Sequence, residues 1–132
     1  MFNRAANALT GSNALTARVG ETIRIYFGVG GPNKTSSFHV IGEIFDKAYQ
    51  LASLTTEPLA DVQTITVPPG GAAVVDMTLD VPGEYVLVDH ALSRVARGLV
   101  GKLVVDGVNQ PALFKAASVK TEESEHNTHS SH

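Results

Sequence analysis

Apolar and polar residues alternate in two segments of the chain. In residues 21–29 (ETIRIYFGV), Ile23, Ile25 and Phe27 fall on one face of an extended strand, and the residues between them fall on the other. Residues 72–81 (AAVVDMTLDV) repeat the alternation, which predicts a second half-buried strand. Its inward set is Val75, Met77, Leu79 and Val81, and its outward set is Asp76, Thr78 and Asp80.

Three further segments are short and rich in β-branched residues, which favours strands over helices. They are residues 61–67 (DVQTITV), 83–90 (GEYVLVDH) and 99–107 (LVGKLVVDG). Glycine and proline interrupt the pattern between strands, because they permit positive φ or remove a hydrogen-bond donor. These turn signals are GVGGP at 28–32, PPGG at 68–71 and Pro82-Gly83. Many short strands at near-regular spacing predict an antiparallel β-sandwich.

Helix signals are few. Residues 90–98 (HALSRVARG) could form two turns that end at Gly98, and residues 110–119 (QPALFKAASV) could begin a short helix. Residues 120–132 lack all apolar character and could not offset the entropy lost on ordering. The sequence therefore predicts one domain over residues 1–119, followed by a disordered polar tail that contains histidines.

The composition excludes several kinds of chemistry. Cysteine is absent, so this chain alone cannot form a disulfide, a zinc–thiolate site or a copper–thiolate bond. The formal charge is −3 and the basic residues are scattered, so no nucleic-acid partner is expected. No apolar stretch approaches the roughly 20 residues that a membrane span requires. The opening residues, Met1-Phe2-Asn3-Arg4, carry no apolar run typical of a signal peptide.

Histidine is the residue with most chemical potential here. Three of the five histidines lie in the tail, where their spacing could hold a divalent metal only loosely; they are His126, His129 and His132. His39 (FHVIG) and His90 (YVLVDH) lie inside or at the end of predicted strands, where a histidine is either a hydrogen-bonded core residue or a functional group. A single His90 cannot complete a metal site, so other ligands would have to come from another chain or a missing segment.

Five stretches resemble, in family order, the C-terminal cupredoxin domain of copper-containing nitrite reductases, especially the outer-membrane enzymes of pathogenic Neisseria. The stretches are FNRAANALTG (2–11), ALTARVGETIRIY (14–26), GGPNKTSSFHVIGEIFDKAY (30–49), VQTITVPPGGAAVV (62–75) and PGEYVLVDHALSRVARGLVGKLVVDG (82–107). The resemblance covers nearly everything before the tail. It implies an all-β, Greek-key β-sandwich that is cupredoxin-like.

The resemblance also implies partners and cofactors. Enzymes of this family are homotrimers of two-cupredoxin subunits that reduce nitrite to nitric oxide with one electron and two protons. Their type 1 copper is held by the N-terminal cupredoxin domain, which is missing here, so no type 1 copper is expected in this chain. Their type 2 copper lies between subunits, shared by two domains. The parent protein would be periplasmic or associated with the outer membrane.

Residue by residue, the resemblance assigns five positions. His90 matches the type 2 copper ligand that the C-terminal domain supplies, and His39 matches the active-site histidine thought to relay a proton to nitrite. Ile41 matches the apolar side chain that caps the copper. Gln63 and Thr64 match the pair whose side chains orient the catalytic imidazole, although many relatives have Glu at the position of Gln63. Glutamine cannot carry a negative charge, so its effect on the imidazole would be weaker.

Three functions remain open from the sequence. The chain could be the C-terminal domain of a nitrite reductase, inactive alone, which contributes His39 and His90 to a shared site. It could instead be a copper-free module for trimerisation, or for binding a separate cupredoxin. In a third arrangement, three copies of His90 would converge on one metal. Whether the isolated chain is an enzyme is therefore left open.

Overall fold

The computed structural model describes residues 1–108, in which nearly all regular structure is β-strand. The nine strands are β1 Leu15–Arg18, β2 Thr22–Gly28, β3 Ser36–Ile41, β4 Phe45–Gln50, β5 Leu59–Val62, β6 Thr64–Val67, β7 Ala72–Thr78, β8 Gly83–Asp89 and β9 Val100–Asp106. Short 3-10 helices span Phe2–Arg4, Gly11–Asn13 and Leu92–Arg97. None of the helices in this part of the chain is long and apolar enough to cross a membrane. The helix predicted at 110–119 and the tail at 120–132 lie outside the described residues.

The strands form two sheets. One has five strands in the order β1-β9-β8-β3-β6, and the other has four in the order β2-β7-β4-β5. Neighbouring strands are antiparallel except β1 and β9, which pair in parallel. The prediction of an all-β Greek-key sandwich is confirmed. The parallel pair was not expected, and it arises because the first strand adds to the outer edge of β9.

The two sheets enclose a core of apolar side chains that come from alternate strand positions. Three phenylalanine rings stack in and against this core. Phe38 lies 5.9 Å from Phe45 and 4.3 Å from the partly buried Phe27, measured between ring centroids. In β7, Val75 and Met77 are fully buried, as the alternation predicts. Because β3 contributes Phe38 to this core, its alternate residues must face the outside of the five-stranded sheet.

The single strand predicted at residues 61–67 is wrong. The strand is interrupted at Gln63. β5 precedes this residue and belongs to the four-stranded sheet, and β6 follows it and belongs to the five-stranded sheet. A strand that changes sheets must leave one hydrogen-bonded ladder before joining the next, and periodicity cannot reveal that break. Asp61, near the end of β5, has a positive φ of 56°. Gln63 therefore lies in a corner beside the edge strand β6.

Asp76 points outward, as predicted, but is not solvated. The Arg24 side chain covers it, with Nε donating to Oδ1 at 2.6 Å and Nη2 donating to Oδ2 at 2.8 Å. The same guanidinium lies 5.5 Å from the ring centre of Tyr49. The hydrogen bonds from Arg24 hold the pKa of the Asp76 carboxyl below its usual range.

The predicted helix at residues 90–98 is shorter and of another type. It is a 3-10 helix over Leu92–Arg97, and it ends at Gly98, whose φ is 85°. A Cβ at Gly98 would lie 2.6 Å from the Cβ of Ala6. Glycine is required here because the left-handed conformation and the approach of the N-terminal segment both exclude a side chain.

Candidate functional site

Two histidines that are far apart in the sequence lie side by side in the structure. His39 is in β3 and pairs with Val88 of the neighbouring strand β8, and His90 follows the end of β8. The backbone amide of His90 donates to the carbonyl oxygen of Ser37 at 2.8 Å, which extends the pairing beyond the strand. The two imidazole ring centres are 5.2 Å apart, with a tilt of 56° between the rings. The pairing of β3 with β8 therefore builds a two-histidine site.

The His39 ring faces the outside of the five-stranded sheet. Its neighbours Phe38 and Val40 are buried in the core, so alternation directs His39 to the opposite face. Nδ1 of His39 lies 2.5 Å from the backbone carbonyl oxygen of Gln63. A carbonyl oxygen can only accept, so Nδ1 must carry the hydrogen. In the neutral ring this leaves Nε2 as the basic nitrogen.

Gln63 and Thr64 both lie beside the His39 ring. Thr64 is the cross-strand partner of His39 in β6, and its hydroxyl oxygen is 3.5 Å from Nδ1. The Gln63 contact comes from its main-chain carbonyl group. The break between β5 and β6 is what presents this carbonyl to the ring, because a residue inside a ladder would use its carbonyl for strand pairing.

Ile41 lies two residues beyond His39 on the same strand and therefore on the same face of the sheet. Its side chain is 48% exposed, and Ile44, in the turn that follows, is also exposed. The sequence reasoning singled out Ile41 and passed over Ile44. Ile41 therefore places apolar surface on the same face as His39.

Asp89 precedes His90 and is only 2% exposed. Burial opposes ionisation of this carboxyl, but the donors around it outweigh burial and lower its pKa. Its donors are the amides of Ala91 and Ser37, the Ser36 hydroxyl and the Arg94 guanidinium.

The site can offer a metal ion one exposed ligand, the His90 imidazole, with the His39 ring beside it. Within residues 1–108, no three His, Cys, Asp or Glu side chains are grouped so that they could hold a metal ion. The His90 side chain is exposed, and imidazole suits copper and zinc. The His39 ring is held in one orientation, because its Nδ1 donates to the backbone carbonyl oxygen of Gln63 and leaves Nε2 free. The two histidines are chemically compatible with copper, but residues 1–108 do not by themselves group enough ligands for a complete metal site.

A cleft of about 690 Å³ lies between the N-terminal segment and the end of the sandwich. Its lining includes Phe2, Phe27 and Leu87 together with Asp89 and Arg94, but neither His39 nor His90. Because the His90 side chain is exposed, the histidine pair lies on an open face of the sheet. Such a site needs a second surface to exclude water.

Comparisons with known proteins show that the chain is similar to copper-containing nitrite reductases. The chain is 49% identical over 116 residues to the copper-containing nitrite reductase of Neisseria meningitidis serogroup A, a match that covers 86% of this chain and 29% of the relative. The copper nitrite reductase of Nitrosomonas europaea superposes with a TM-score of 0.69 at 29% identity, over 80% of this chain and 38% of that one. The copper-containing nitrite reductase of Thermus scotoductus superposes with a TM-score of 0.67 at 31% identity. This match covers 74% of this chain and 23% of that one.

No family model matches the chain. The structural likeness confirms the cupredoxin-like form of the sandwich. The chain spans only 29% of the length of the Neisseria relative, so it corresponds to one part of a longer enzyme.

Proposed function

This chain is homologous to one segment of the copper-containing nitrite reductases, and on that basis we propose that it is the C-terminal cupredoxin domain of such an enzyme. In this role it supplies His90 as one ligand of a type 2 copper at a subunit interface and His39 as the active-site histidine. The N-terminal cupredoxin domain supplies the type 1 copper and the other type 2 ligands, and the assembly is a homotrimer acting on nitrite in the periplasm. Alone, the chain is inactive.

The observation that carries the proposal is the pairing of the two histidines, with ring centres 5.2 Å apart on one open face. A group bound to the His90 imidazole would lie within reach of the His39 ring. His90 thus binds the metal, and His39 exchanges protons with the bound group. Neither task needs cysteine, which this chain lacks.

His39 is arranged to deliver a proton without turning. The Gln63 carbonyl oxygen accepts from Nδ1 in both the neutral and the charged ring, so the ring keeps its orientation when Nε2 gains or loses a proton. Reduction of nitrite to nitric oxide takes one electron and two protons, and one oxygen leaves as water. His39 can supply one of these protons through Nε2, and the second must come from outside this chain.

When bound, copper would contribute the electron and polarise a nitrite oxygen. The chain's own contribution around it is steric as well as basic. Ile41 presents an apolar side chain on the same face as His39, where it would restrict how a small anion lies and repel water. The partner domain would have to close over this face, since the site is open in the chain alone.

A chimera tests the proposal. Residues 2–107 replace the matching segment of the Neisseria meningitidis enzyme, and copper content and nitric oxide formation are measured. His90→Ala should remove type 2 copper and turnover, whereas His39→Gln should leave copper in place and lower turnover about 100-fold or more. The control is a second chimera that carries residues 2–132, in which alanine replaces the three tail histidines, His126, His129 and His132.

The same chimera also tests the alternative function, a copper-free module. If the chain is a copper-free module for trimerisation or for docking a separate cupredoxin, the His90→Ala chimera keeps both its copper and its turnover. Retention of both would overturn the ligand role of His90. Appreciable nitric oxide formation by the isolated chain supplied with copper would contradict the claim that it is inactive alone.

A further inference from the structure

The carboxylate of Asp89 accepts hydrogen bonds from two other segments of the chain. Oδ2 accepts from the Ser36 hydroxyl at 2.9 Å and from the Arg94 guanidinium. Oδ1 accepts from the amide of Ala91 at 3.0 Å and, more weakly, from that of Ser37 at 3.4 Å. Asp89 therefore ties the start of β3 and the 3-10 helix over Leu92–Arg97 to the end of β8.

These bonds surround the backbone of His90. On one side, the His90 amide donates to the carbonyl oxygen of Ser37 at 2.8 Å. On the other side, the Ala91 amide donates to the carboxylate of Asp89. The peptide units before and after His90 are thus both held, although the His90 side chain itself is exposed. An exposed side chain keeps a defined direction only when its backbone is held in this way.

Arg94 connects this arrangement to the rest of the fold. The same Nη1 that meets Asp89 also donates to the carbonyl oxygen of Thr35 at 2.9 Å. Arg94 lies in the helix that follows His90, so the two bonds pull that helix back against the start of β3. Of the three ion pairs in residues 1–108, this is the one whose acid is fully buried. The pair between Lys102 and Glu84 is exposed on both sides.

We infer that Asp89 is a positioning residue for His90, acting with Ser36 and Arg94 as a buried clamp (the Asp89 clamp) that sets the direction of the His90 imidazole toward His39. The role of His90 as a ligand rests on the proposed function, but the positioning does not. A clamp of this kind lowers the conformational freedom that a ligand would otherwise lose on binding.

The test uses the full chain and its Asp89→Asn and Arg94→Gln variants. Asparagine has the same shape, but an NH₂ group replaces one of the two accepting oxygens, so in either orientation of the amide a donor faces other donors. Lys102→Gln is the matched control, because it breaks an ion pair on the same sheet that does not touch the clamp. Amide hydrogen exchange and ring-to-ring nuclear Overhauser contacts are measured by NMR, together with thermal unfolding.

The clamp predicts that amide exchange at Ala91 rises about tenfold or more in Asp89→Asn and Arg94→Gln, beyond any change expected from the loss in global stability. The contact between the His39 and His90 rings should weaken in both variants, and Lys102→Gln should change neither quantity. Unchanged Ala91 exchange and an unchanged ring contact in a folded variant would overturn the inference. If Asp89→Asn does not fold, Arg94→Gln decides.

A second readout separates the clamp from the proposed function. In the chimera, Asp89→Asn should weaken copper retention about 10- to 100-fold, the loss typical when a group that orients a ligand is removed. Retention of copper by His90→Ala would refute the ligand role and leave the NMR result to judge the clamp. Loss of copper in His90→Ala, with full retention and unchanged NMR in Asp89→Asn, would refute the clamp alone.

Discussion

The Ser36→Ala variant removes one hydrogen-bond donor from the buried carboxylate of Asp89 and changes the side-chain volume very little. The Ser36 hydroxyl donates to Oδ2 of Asp89 at 2.9 Å, and the two residues are 6% and 2% exposed. Water therefore cannot readily replace the lost hydroxyl. No buried side-chain nitrogen or oxygen in residues 1–108 is without a partner, so the variant would leave a weaker network in a structure that is otherwise fully satisfied.

The size of the effect follows from the charge on the acceptor. A hydrogen bond to a charged group contributes roughly 1.5–3 kcal/mol to stability, against about 1 kcal/mol for a neutral pair. Exchange of a hydroxyl for a hydrogen leaves too small a space to add a large cavity cost. For a chain of 132 residues, each kcal/mol corresponds to about 4 °C in Tm, so a fall of about 6–12 °C is expected.

Urea unfolding at pH 7 measures the change, with a thermal melt as the second measurement. Ser37→Ala is the matched control, because Ser37 reaches Asp89 only through its backbone amide, which alanine retains. We expect Ser37→Ala to lie within about 0.5 kcal/mol of the wild type. A loss in Ser36→Ala no larger than that of Ser37→Ala would refute the view that the hydroxyl supports a buried charge.

Three other substitutions test separate parts of the fold. Burial, with nearby acids, raises the pKa of Glu43, so its charged form is less favourable in the fold than in the unfolded chain. Glu43→Gln should therefore raise the urea midpoint at pH 7, and the gain should vanish below about pH 4, where both states of the wild type are protonated; a gain that persists in acid would contradict this. Gly98→Ala should destabilise more than Gly20→Ala, because both glycines have positive φ but only Gly98 would clash, with Ala6; equal melting temperatures would argue against the clash. Phe38→Ala should lose about 3–5 kcal/mol in urea unfolding, and a loss below about 1 kcal/mol would mean that the aromatic stack is not central to the core.

Strands with a clear period of two were predictable because that signal is local. Residues 21–29 and 72–81 contain β2 and β7, and Val75 and Met77 are inward as expected. The turn that ends at Gly98 was also predictable, because a glycine in the left-handed conformation is a local stop signal.

Features that depend on neighbouring strands were not predictable in this way. The break at Gln63 depends on which sheet each half of the segment joins, and residues 61–67 look continuous by composition. The burial of Asp76 depends on Arg24 of the adjacent strand β2. In the sequence, Asp89 is likewise one acid among several, and only the fold brings donors from the start of β3 and from residues 91–94 around its carboxylate.

By itself, the sequence determined the chemical inventory of this protein: no cysteine, and therefore no thiolate copper site of its own, with two histidines in β-prone surroundings as the candidates for chemistry. It also determined that Phe38 and His39 face opposite sides of one strand, since alternation is built into the extended backbone. Only the tertiary structure decided that His39 and His90 meet. Their distance follows from the register between β3 and β8, and that register is set by core packing and turns across the whole sandwich.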